Sequence, residues 1–275
     1  RRKPANVFGE RTFEAFLVIN GIAGPFLLGA AVGTLFTGAD FTVDRFNMAN
    51  ASGDAIISQW ATPWHGLEAL GGHRNILLGV AVVFLAGTLA CQYLLNAVGE
   101  QRITERARRM MRPLSLLFLA AFLSFLGALL VSTGWSYDAS GVVAAEPYKY
   151  LHNLLQMPLV SVVMLIGVVL VLASILLGWR GSRKAIWLGG SGTVLTVLAL
   201  LLCAGWNNTA YYPSLVDMQS SLTIANSSSS EFTLRVMAYV SLLIPFVLAY
   251  IWYAWRSLNR RPVTSEELRD EEHSY

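Results

Sequence analysis

The stretch MPLVSVVMLIGVVLVLASILLG, residues 157–178, decides how this chain folds. It carries no charged residue, and a helix needs ~20 apolar residues to cross the hydrocarbon core of a membrane. Comparable apolar runs recur along the chain. The predicted spans are residues 13–38, 76–98, 113–133, 157–178, 185–206 and 232–255. The predicted fold class is therefore all-α: a polytopic membrane protein with six transmembrane helices in a single membrane domain, residues 1–275.

The composition agrees with insertion in a membrane. Of the 275 residues, 55% are hydrophobic and only 13% are charged, which fits a bilayer better than one large soluble core. The net charge of +3 does not point to nucleic acid, because the basic loops would lie against anionic lipid headgroups. Cys91 and Cys203 fall inside spans and are interpreted as small apolar residues.

The basic residues predict an orientation. On one side of the membrane the loops carry only Arg45, Arg74, Lys149 and Arg235, and every other Arg and Lys falls on the opposite side. By the positive-inside rule the richer side is cytoplasmic. Both ends of the chain, including the tail 256–275, are therefore predicted to be cytoplasmic. The longer loops are predicted to be outer, or periplasmic: residues 39–75, 134–156 and 207–231.

Few polar side chains fall within the spans. Glu14 is the only intramembrane carboxylate and lies in the first turn of its span, whereas proton relays and transport pathways use such groups. Asn20, Gln92 and Asn96 are interpreted as helix-to-helix hydrogen-bonding groups rather than ligand contacts. We hypothesise that all four side chains face protein or internal water, and they are the candidates for binding a cofactor. No catalytic residue is predicted.

The histidines bound the metal chemistry of this chain. His65, Glu68 and His73 form an H-x2-E-x4-H cluster, and His65 and Glu68 would share a helix face. Without a second ligand motif nearby, we interpret the cluster as an interfacial amphipathic turn and predict that it binds no metal. His152 is the only histidine near a span, at the outer edge, so no haem is predicted to be ligated by this chain alone.

Glycine, proline and serine mark local features of the spans. Pro25 and Pro245 predict helix kinks whose freed carbonyls are satisfied by neighbours; the alternative is a broken helix along a substrate path. Gly29 and Gly33 predict a packing surface for another helix. Ahead of the last span, SSSE at residues 228–231 is a capping-box pattern, and Glu231 is predicted to pair with Arg235 one turn later.

Three stretches resemble subunit II of cytochrome bd-type quinol oxidases. FLVINGIAGPFLLGAAVGTLFTGADFTVD, residues 16–44, is similar to a family helix and loop with a V-G-x4-G-x2-F motif, here Val32, Gly33, Gly38 and Phe41. ERARRMMRP, residues 105–113, resembles the family's basic cytoplasmic loop. EPYKYLHNLLQMP, residues 146–158, resembles the form of a further loop in one bacterial branch.

The most specific resemblance lies in YYPSLVDMQSSLTIANSSSSEFTLRVM, residues 211–237. The family signature P-S...SLT...(S/T)SS..TL..M is carried here by Pro213, Ser214, Ser221, Leu222, Thr223, Ser228, Ser229, Thr233, Leu234 and Met237. Two departures are visible. Family members begin with further helices bearing a W-D-G-N-x-V-W motif, so the chain is expected to be a large C-terminal part of subunit II. The signature often has Asp at the position of Asn226, so no carboxylate role carries over.

The resemblance implies a heterodimeric oxidase of the bacterial plasma (inner) membrane that oxidises quinol and reduces dioxygen to water. Haem b, haem d and the quinol-oxidation loop would belong to the partner, subunit I. This chain would supply packing, part of a proton or oxygen path, and a bound structural quinone or lipid, with small accessory subunits as further partners. The alternatives are a transporter or permease with substrate between kinked helices, and a structural membrane subunit of another complex.

Overall fold

The computed structural model describes residues 10–44 and 58–258. Within these ranges six helical segments are long and apolar enough to cross a membrane, which confirms the predicted fold class. The helices, in chain order, are α1 (Glu10–Thr37), α2 (His73–Ala97), α3 (Gln101–Leu130), α4 (Lys149–Gln156), α5 (Pro158–Trp179), α6 (Ala185–Gly205), α7 (Ile224–Ser227), α8 (Glu231–Ser241) and α9 (Ile244–Leu258). The short helices α4 and α7 lie in connecting segments, and α8 and α9 together form the last span.

Helix α3 begins well before its apolar run. The basic segment ahead of Pro113 is helical, and Pro113 itself lies inside α3. The segment contacts the end of α5, because Arg108 Nε donates to the Trp179 carbonyl oxygen at 2.9 Å. Trp179 Nε1 in turn donates to Ser115 Oγ at 3.0 Å. Hydropathy marks only the membrane-crossing part of such a helix, so the predicted span, residues 113–133, misses the first part of α3.

The two prolines act differently. Pro25 lies inside α1, which continues through it. Pro245 is the second residue of α9, and the break between α8 and α9 precedes it. Proline has no N–H and cannot continue the hydrogen-bond ladder of a preceding helix. The chain instead closes a tight turn there, in which Leu242 N donates to the Tyr239 carbonyl at 3.1 Å.

Two small antiparallel sheets, which the sequence did not predict, lie in the long loops. Strand β1 (Phe41–Val43) pairs with β2 (Ser58–Trp60), and β3 (Gly134–Tyr137) pairs with β4 (Val143–Glu146). Phe41 lies opposite Trp60, and their rings meet edge to face with centroids 6.4 Å apart. We call the end of the molecule that carries these sheets the outer face, after the orientation predicted from the basic residues.

Glycines let neighbouring helices approach closely. Helix α2 packs on both α1 and α3, and α5 packs on α6. A Cβ added to Gly33 would lie 2.5 Å from Asn75 Oδ1, and one added to Gly29 would lie 2.8 Å from the Gly79 Cα. Both glycines therefore form the predicted packing surface of α1, against α2. On α5, a Cβ at Gly167 would lie 2.7 Å from the Thr196 backbone nitrogen of α6.

The main apolar core lies between helices α1 to α6, with Leu78 as the buried contribution of α2. Phe36 is at its centre, with its ring edge-on to Phe125 at 6.0 Å and to Tyr150 at 5.4 Å. The Tyr150 hydroxyl donates to the Phe36 carbonyl oxygen at 3.1 Å. The polar group that Tyr150 brings into this apolar core is therefore hydrogen-bonded. By contrast, the membrane-crossing window of α8 and α9 buries none of its residues within the described chain.

Candidate functional site

The first half of the signature forms a buried hydrogen-bonded loop on the outer face. Ser214 and Ser221 are almost wholly buried. The Ser214 backbone nitrogen donates to Ser221 Oγ at 3.0 Å, and the Ser214 hydroxyl donates to the Phe41 carbonyl of β1. The Asp217 nitrogen donates back to Ser214 Oγ at 3.2 Å. These serines therefore hold the loop in shape and attach it to the first outer sheet.

Thr223 and Asn226 cap the short helix α7 reciprocally. Asn226 N donates to Thr223 Oγ1 at 3.1 Å, and Thr223 N donates to Asn226 Oδ1 at 2.8 Å. Asn226 Nδ2 also donates to the Ser221 carbonyl oxygen at 3.0 Å. A carboxylate cannot donate that last bond. The amide at this position therefore has a structural use in this chain.

The second half of the signature lies on α8. Ser230 caps this helix, accepting a hydrogen bond from Thr233 N at 3.4 Å, and Glu231 is its first residue, so the capping box predicted at residues 228–231 does not form. Glu231 Oε1 accepts from Arg235 Nη2 at 2.5 Å, which confirms the predicted pair. Both charged side chains are more than two-thirds exposed, so this pair contributes little to stability. Leu234 and Met237 are exposed, unlike the buried residues of the preceding loop.

The signature loop joins the two outer sheets. Gly38 has a φ of +83°, and a Cβ there would collide with the Pro213 carbonyl; only glycine adopts this backbone at low cost. Ala39 N donates to Pro213 O at 3.1 Å, and Val43 N donates to Ser220 Oγ at 2.9 Å. These bonds attach the first sheet to the loop.

Gln219 makes the matching attachment to the second sheet. Its Oε1 accepts from Val143 N at 3.0 Å, and its Nε2 donates to the Val143 carbonyl at 2.9 Å. The side chain therefore pairs with β4 as a neighbouring strand would. Sequence reasoning missed both Gln219 and Ser220, although they lie within the quoted signature stretch as polar residues outside its fixed positions.

Asn153 of α4 is a second centre of hydrogen bonds that sequence reasoning missed. It is fully buried. Its Nδ2 donates to the Cys203 carbonyl and to Thr209 Oγ1, both at 2.8 Å, and its Oδ1 accepts from Asn207 Nδ2 at 2.9 Å. The Cys203 carbonyl is in the last turn of α6, where carbonyls lack helical partners. Asn153 therefore caps α6 from the side.

A charged cluster connects β4 to α4. Glu146 lies 3.0 Å from both Lys149 Nζ and His152 Nδ1, on separate carboxylate oxygens. Burial raises the pKa of Glu146, but the hydrogen bonds from His152 and Lys149 outweigh it, so the pKa lies below its ordinary value. His152 is thus engaged by a carboxylate on the outer face. Lys149 is the only charged residue among those buried within the described ranges.

The four polar candidates of the spans are not brought together. Gln92 is fully buried, and its Nε2 donates to Ser174 Oγ at 3.2 Å, while its Oε1 is buried without a hydrogen-bond partner. Asn96 is half-buried. Glu14 and Asn20 are exposed on the surface of α1. Whether these two face another protein or lipid stays a prediction.

The cluster of His65, Glu68 and His73 lies at the outer end of α2. Glu68 is in a turn of 3-10 helix, Leu67–Gly71, and its Oε2 accepts from the Gly66 nitrogen at 3.0 Å. Among the described residues no three His, Cys, Asp or Glu side chains are arranged to hold a metal ion. The absence of a metal at this cluster stays a prediction.

A cavity of about 430 Å³ opens between α1, α2, α3, α5 and α6. Its wall is formed by apolar side chains, Gly29 and two hydroxyl residues, Thr193 and Thr196. Each hydroxyl donates to a carbonyl of its own helix, Gly189 O at 2.7 Å and Gly192 O at 2.9 Å. The arrangement can hold an apolar guest, and a volume of this size is typical of ligand pockets.

Comparisons with known proteins agree with this picture of a membrane subunit. Residues 1–258, which reach the end of α9, match the family described as "Cytochrome bd terminal oxidase subunit II". The chain is 29% identical over 272 residues to "Cytochrome bd-I ubiquinol oxidase subunit 2" of Escherichia coli (strain K12), covering 94% of this chain and 67% of that protein. The proteins of that name from E. coli O6:H1 and O157:H7 match equally. The chain belongs to the cytochrome bd terminal oxidase subunit II family.

Proposed function

We propose that this chain is a subunit of a quinol:oxygen oxidoreductase and that it ligates no haem itself. The observation that carries the proposal is the family match over residues 1–258. A subunit I partner would hold haem b and haem d, oxidise quinol and reduce dioxygen to water. This chain contributes no catalytic residue to that reaction; it packs against the partner and completes the membrane complex.

The positions of the histidines support this division of labour. A haem ligated within the membrane takes an axial side chain such as His from a helix at the depth of the ring. His65 and His73 lie at the outer end of α2, and His152 is held by Glu146 on the outer face; His273 is outside the described residues. The described residues therefore do not fit a haem ligated by this chain alone.

The distribution of charge argues against a transporter or permease. Ion-coupled transport uses ionisable groups buried at mid-membrane. Within the described residues, the only charged side chain that the chain buries is Lys149, in the outer loop helix α4. The distribution of charge does not argue against a purely structural subunit of another complex, but the family match does. The oxidase function explains the signature and agrees with the lack of buried charged side chains in the described spans.

Energy conservation would then be vectorial rather than by pumping. Quinol protons leave on the outer side, and the protons consumed in forming water come from the cytoplasm. Both ends of this chain lie in the cytoplasm of a bacterium under this proposal, since its basic loops follow the positive-inside rule. The cavity of about 430 Å³ takes a structural quinone or lipid, and small accessory subunits complete the assembly.

The test is a dithionite-reduced minus oxidised visible spectrum of the detergent-purified complex, with its subunits separated on a gel. We expect haem b and haem d bands, together with a larger haem-bearing partner. A matched preparation of this chain expressed without the partner should be colourless. A colourless polypeptide purified alone from its native membrane would refute the oxidase proposal and favour the transporter.

A further inference from the structure

The cavity wall offers a ligand no free hydrogen-bond donor. Thr193 and Thr196 are the only hydroxyl residues that line it within the described ranges, and both donate to carbonyls of α6. Polar head groups are held in pockets by a few well-placed donors and acceptors. The cavity therefore suits a hydrocarbon chain, and the head group of such a ligand must be held outside it.

A guanidinium lies at the outer end of the same wall. Arg74 is in the first turn of α2. Leu78, Ala81 and Leu85 line the cavity and follow Arg74 by about one, two and three turns on one face of the helix. Side chains in helices lean toward the N-terminus. The Arg74 side chain therefore extends outward, beyond the outer end of the cavity.

Arg74 has no partner for part of its charge. Its Nη1 is buried without a hydrogen bond, and none of the ion pairs among the described residues includes Arg74. A buried cationic donor left in this state is unfavourable. Burial raises the pKa of the Tyr150 phenol, and the Arg74 charge acts in the opposite direction. Tyr150 packs on Phe36, which lines the cavity.

Glu68 provides the competing explanation. Its Oε1 is also buried without a hydrogen-bond partner, and no ion pair joins it to Arg74 in the described part of the chain. A water bridge between these two side chains would make Arg74 a purely structural residue. Such a bridge would leave the cavity unrelated to Arg74, a difference that lipid binding can measure.

We propose that a membrane phospholipid binds at this position, with one acyl chain in the cavity and its phosphate on Arg74. Arg74 as a whole is only partly buried and is in no ion pair of the described chain, so the accessible part of its guanidinium can bind a phosphate. Charge-assisted hydrogen bonds from Arg to phosphate are among the stronger ones. The wall of α1, α2, α3, α5 and α6 supplies only apolar contact. This inference names the ligand of the structural-lipid part of the proposed function and rests on that function only for the membrane location.

The first experiment measures the lipid retained by the detergent-washed complex. Phospholipid and quinone per chain are quantified by extraction and mass spectrometry for the wild type, Arg74→Gln, Arg74→Lys and Arg235→Gln. We expect Arg74→Gln to lower phospholipid retention about tenfold, the equivalent of one charge-assisted hydrogen bond. Arg74→Lys keeps the charge and should retain most of the lipid. Arg235 lies in an exposed pair, so its substitution is the matched control.

A second pair of variants tests the acyl-chain half of the site. Ala81→Leu adds bulk inside the cavity and should also lower retention, while Ala90→Leu, on an exposed position of α2, should not. Thermal stability in detergent micelles that contain added phosphatidylglycerol or phosphatidylethanolamine reports binding independently of purification. Stabilisation of the wild type by both lipids, lost in Arg74→Gln, identifies the phosphate as the recognised group, and stabilisation by phosphatidylglycerol alone adds a preference for net negative charge.

Several results would overturn the inference: recovery of stoichiometric quinone instead of phospholipid, equal retention by Arg74→Gln and the wild type, or a wild type without lipid. If Arg74→Gln fails to assemble, the comparison of Arg74→Lys with the wild type and the Ala81→Leu pair decides. The haem spectrum keeps the two proposals separate. Haem bands without lipid contradict only the lipid site, and retained lipid without haem contradicts only the oxidase function.

Discussion

Replacing Asn153 by Ala should destabilise the chain strongly, through lost hydrogen bonds rather than lost apolar packing. The side chain is fully buried and makes hydrogen bonds to Cys203, Thr209 and Asn207 at 2.8, 2.8 and 2.9 Å. A net contribution of about 1 kcal/mol per bond gives a loss of about 3 kcal/mol. The loss is raised further because the Cys203 carbonyl, at the end of α6, is left buried without a partner.

The assay is reversible unfolding in mixed micelles followed by tryptophan fluorescence. Gln156→Ala is the matched control, because Gln156 lies on the same helix and accepts from the same Asn207 Nδ2, at 2.6 Å, but is exposed. Its substitution should cost less than about 0.5 kcal/mol. Asn153→Asp keeps one acceptor but loses both donated bonds, so it should be at least as damaging as Asn153→Ala.

Equal stability of the Asn153→Ala and Gln156→Ala variants would refute the argument. It would mean that the α6 carbonyls find other partners, such as water from the outer face, and that the buried amide does not connect α4 to the end of α6. A loss confined to Asn153→Asp would point to the buried charge instead of the missing hydrogen bonds.

Three further predictions follow from the outer face. Gly38→Ala should lower the free energy of unfolding by about 1–3 kcal/mol, because an alanine Cβ at φ +83° meets Pro213. The amount of assembled complex on native gels should fall with it, and an unchanged amount would show that the loop adjusts at little cost. The pKa of Glu146 is lower in the folded chain than its ordinary value of 4.5, so the ionised carboxylate stabilises the fold at pH values above 4.5. This stabilisation is lost as the pH falls through the pKa of the folded state. Glu146→Gln should therefore flatten the acid side of the stability–pH profile measured by thermal unfolding, and an unaltered profile would contradict this sign. Cysteine placed at Ser140 should react with a membrane-impermeant thiol reagent in intact cells and cysteine at Ser182 should not; the reverse labelling would invert the predicted orientation.

Sequence reasoning succeeded where the signal is local. Apolar runs of membrane length predicted the six spans, and the spacing of Glu231 and Arg235 predicted their ion pair, since the two lie one turn apart. The capping box predicted at residues 228–231 was wrong, because Ser230 caps α8 and Glu231 is its first residue. It missed the helical extension ahead of Pro113, because a basic amphipathic segment outside the membrane resembles a loop in a hydropathy profile.

Contacts between distant segments could not be predicted in this way. Gln219 pairs with Val143 across 76 positions, and Asn153 reaches Cys203 across 50. A polar residue in a loop carries no sign of which backbone group it will meet. The outer strands of three or four residues are likewise too short to show a periodic pattern. Glu14 and Gln92, both chosen as polar residues of spans, differ completely in burial for the same reason.

The hydrogen bonds between the outer loops have a consequence for biosynthesis. Val43 bonds to Ser220, 177 positions later in the chain. At a translation rate of about 5–20 residues per second, about 9–35 s pass between the synthesis of Val43 and the synthesis of Ser220. During that interval the unpaired backbone groups of the first loop are exposed at the membrane surface, open to proteases and to mispairing. The first loop is therefore vulnerable until the segment that contains Ser220 has been made and has packed against it.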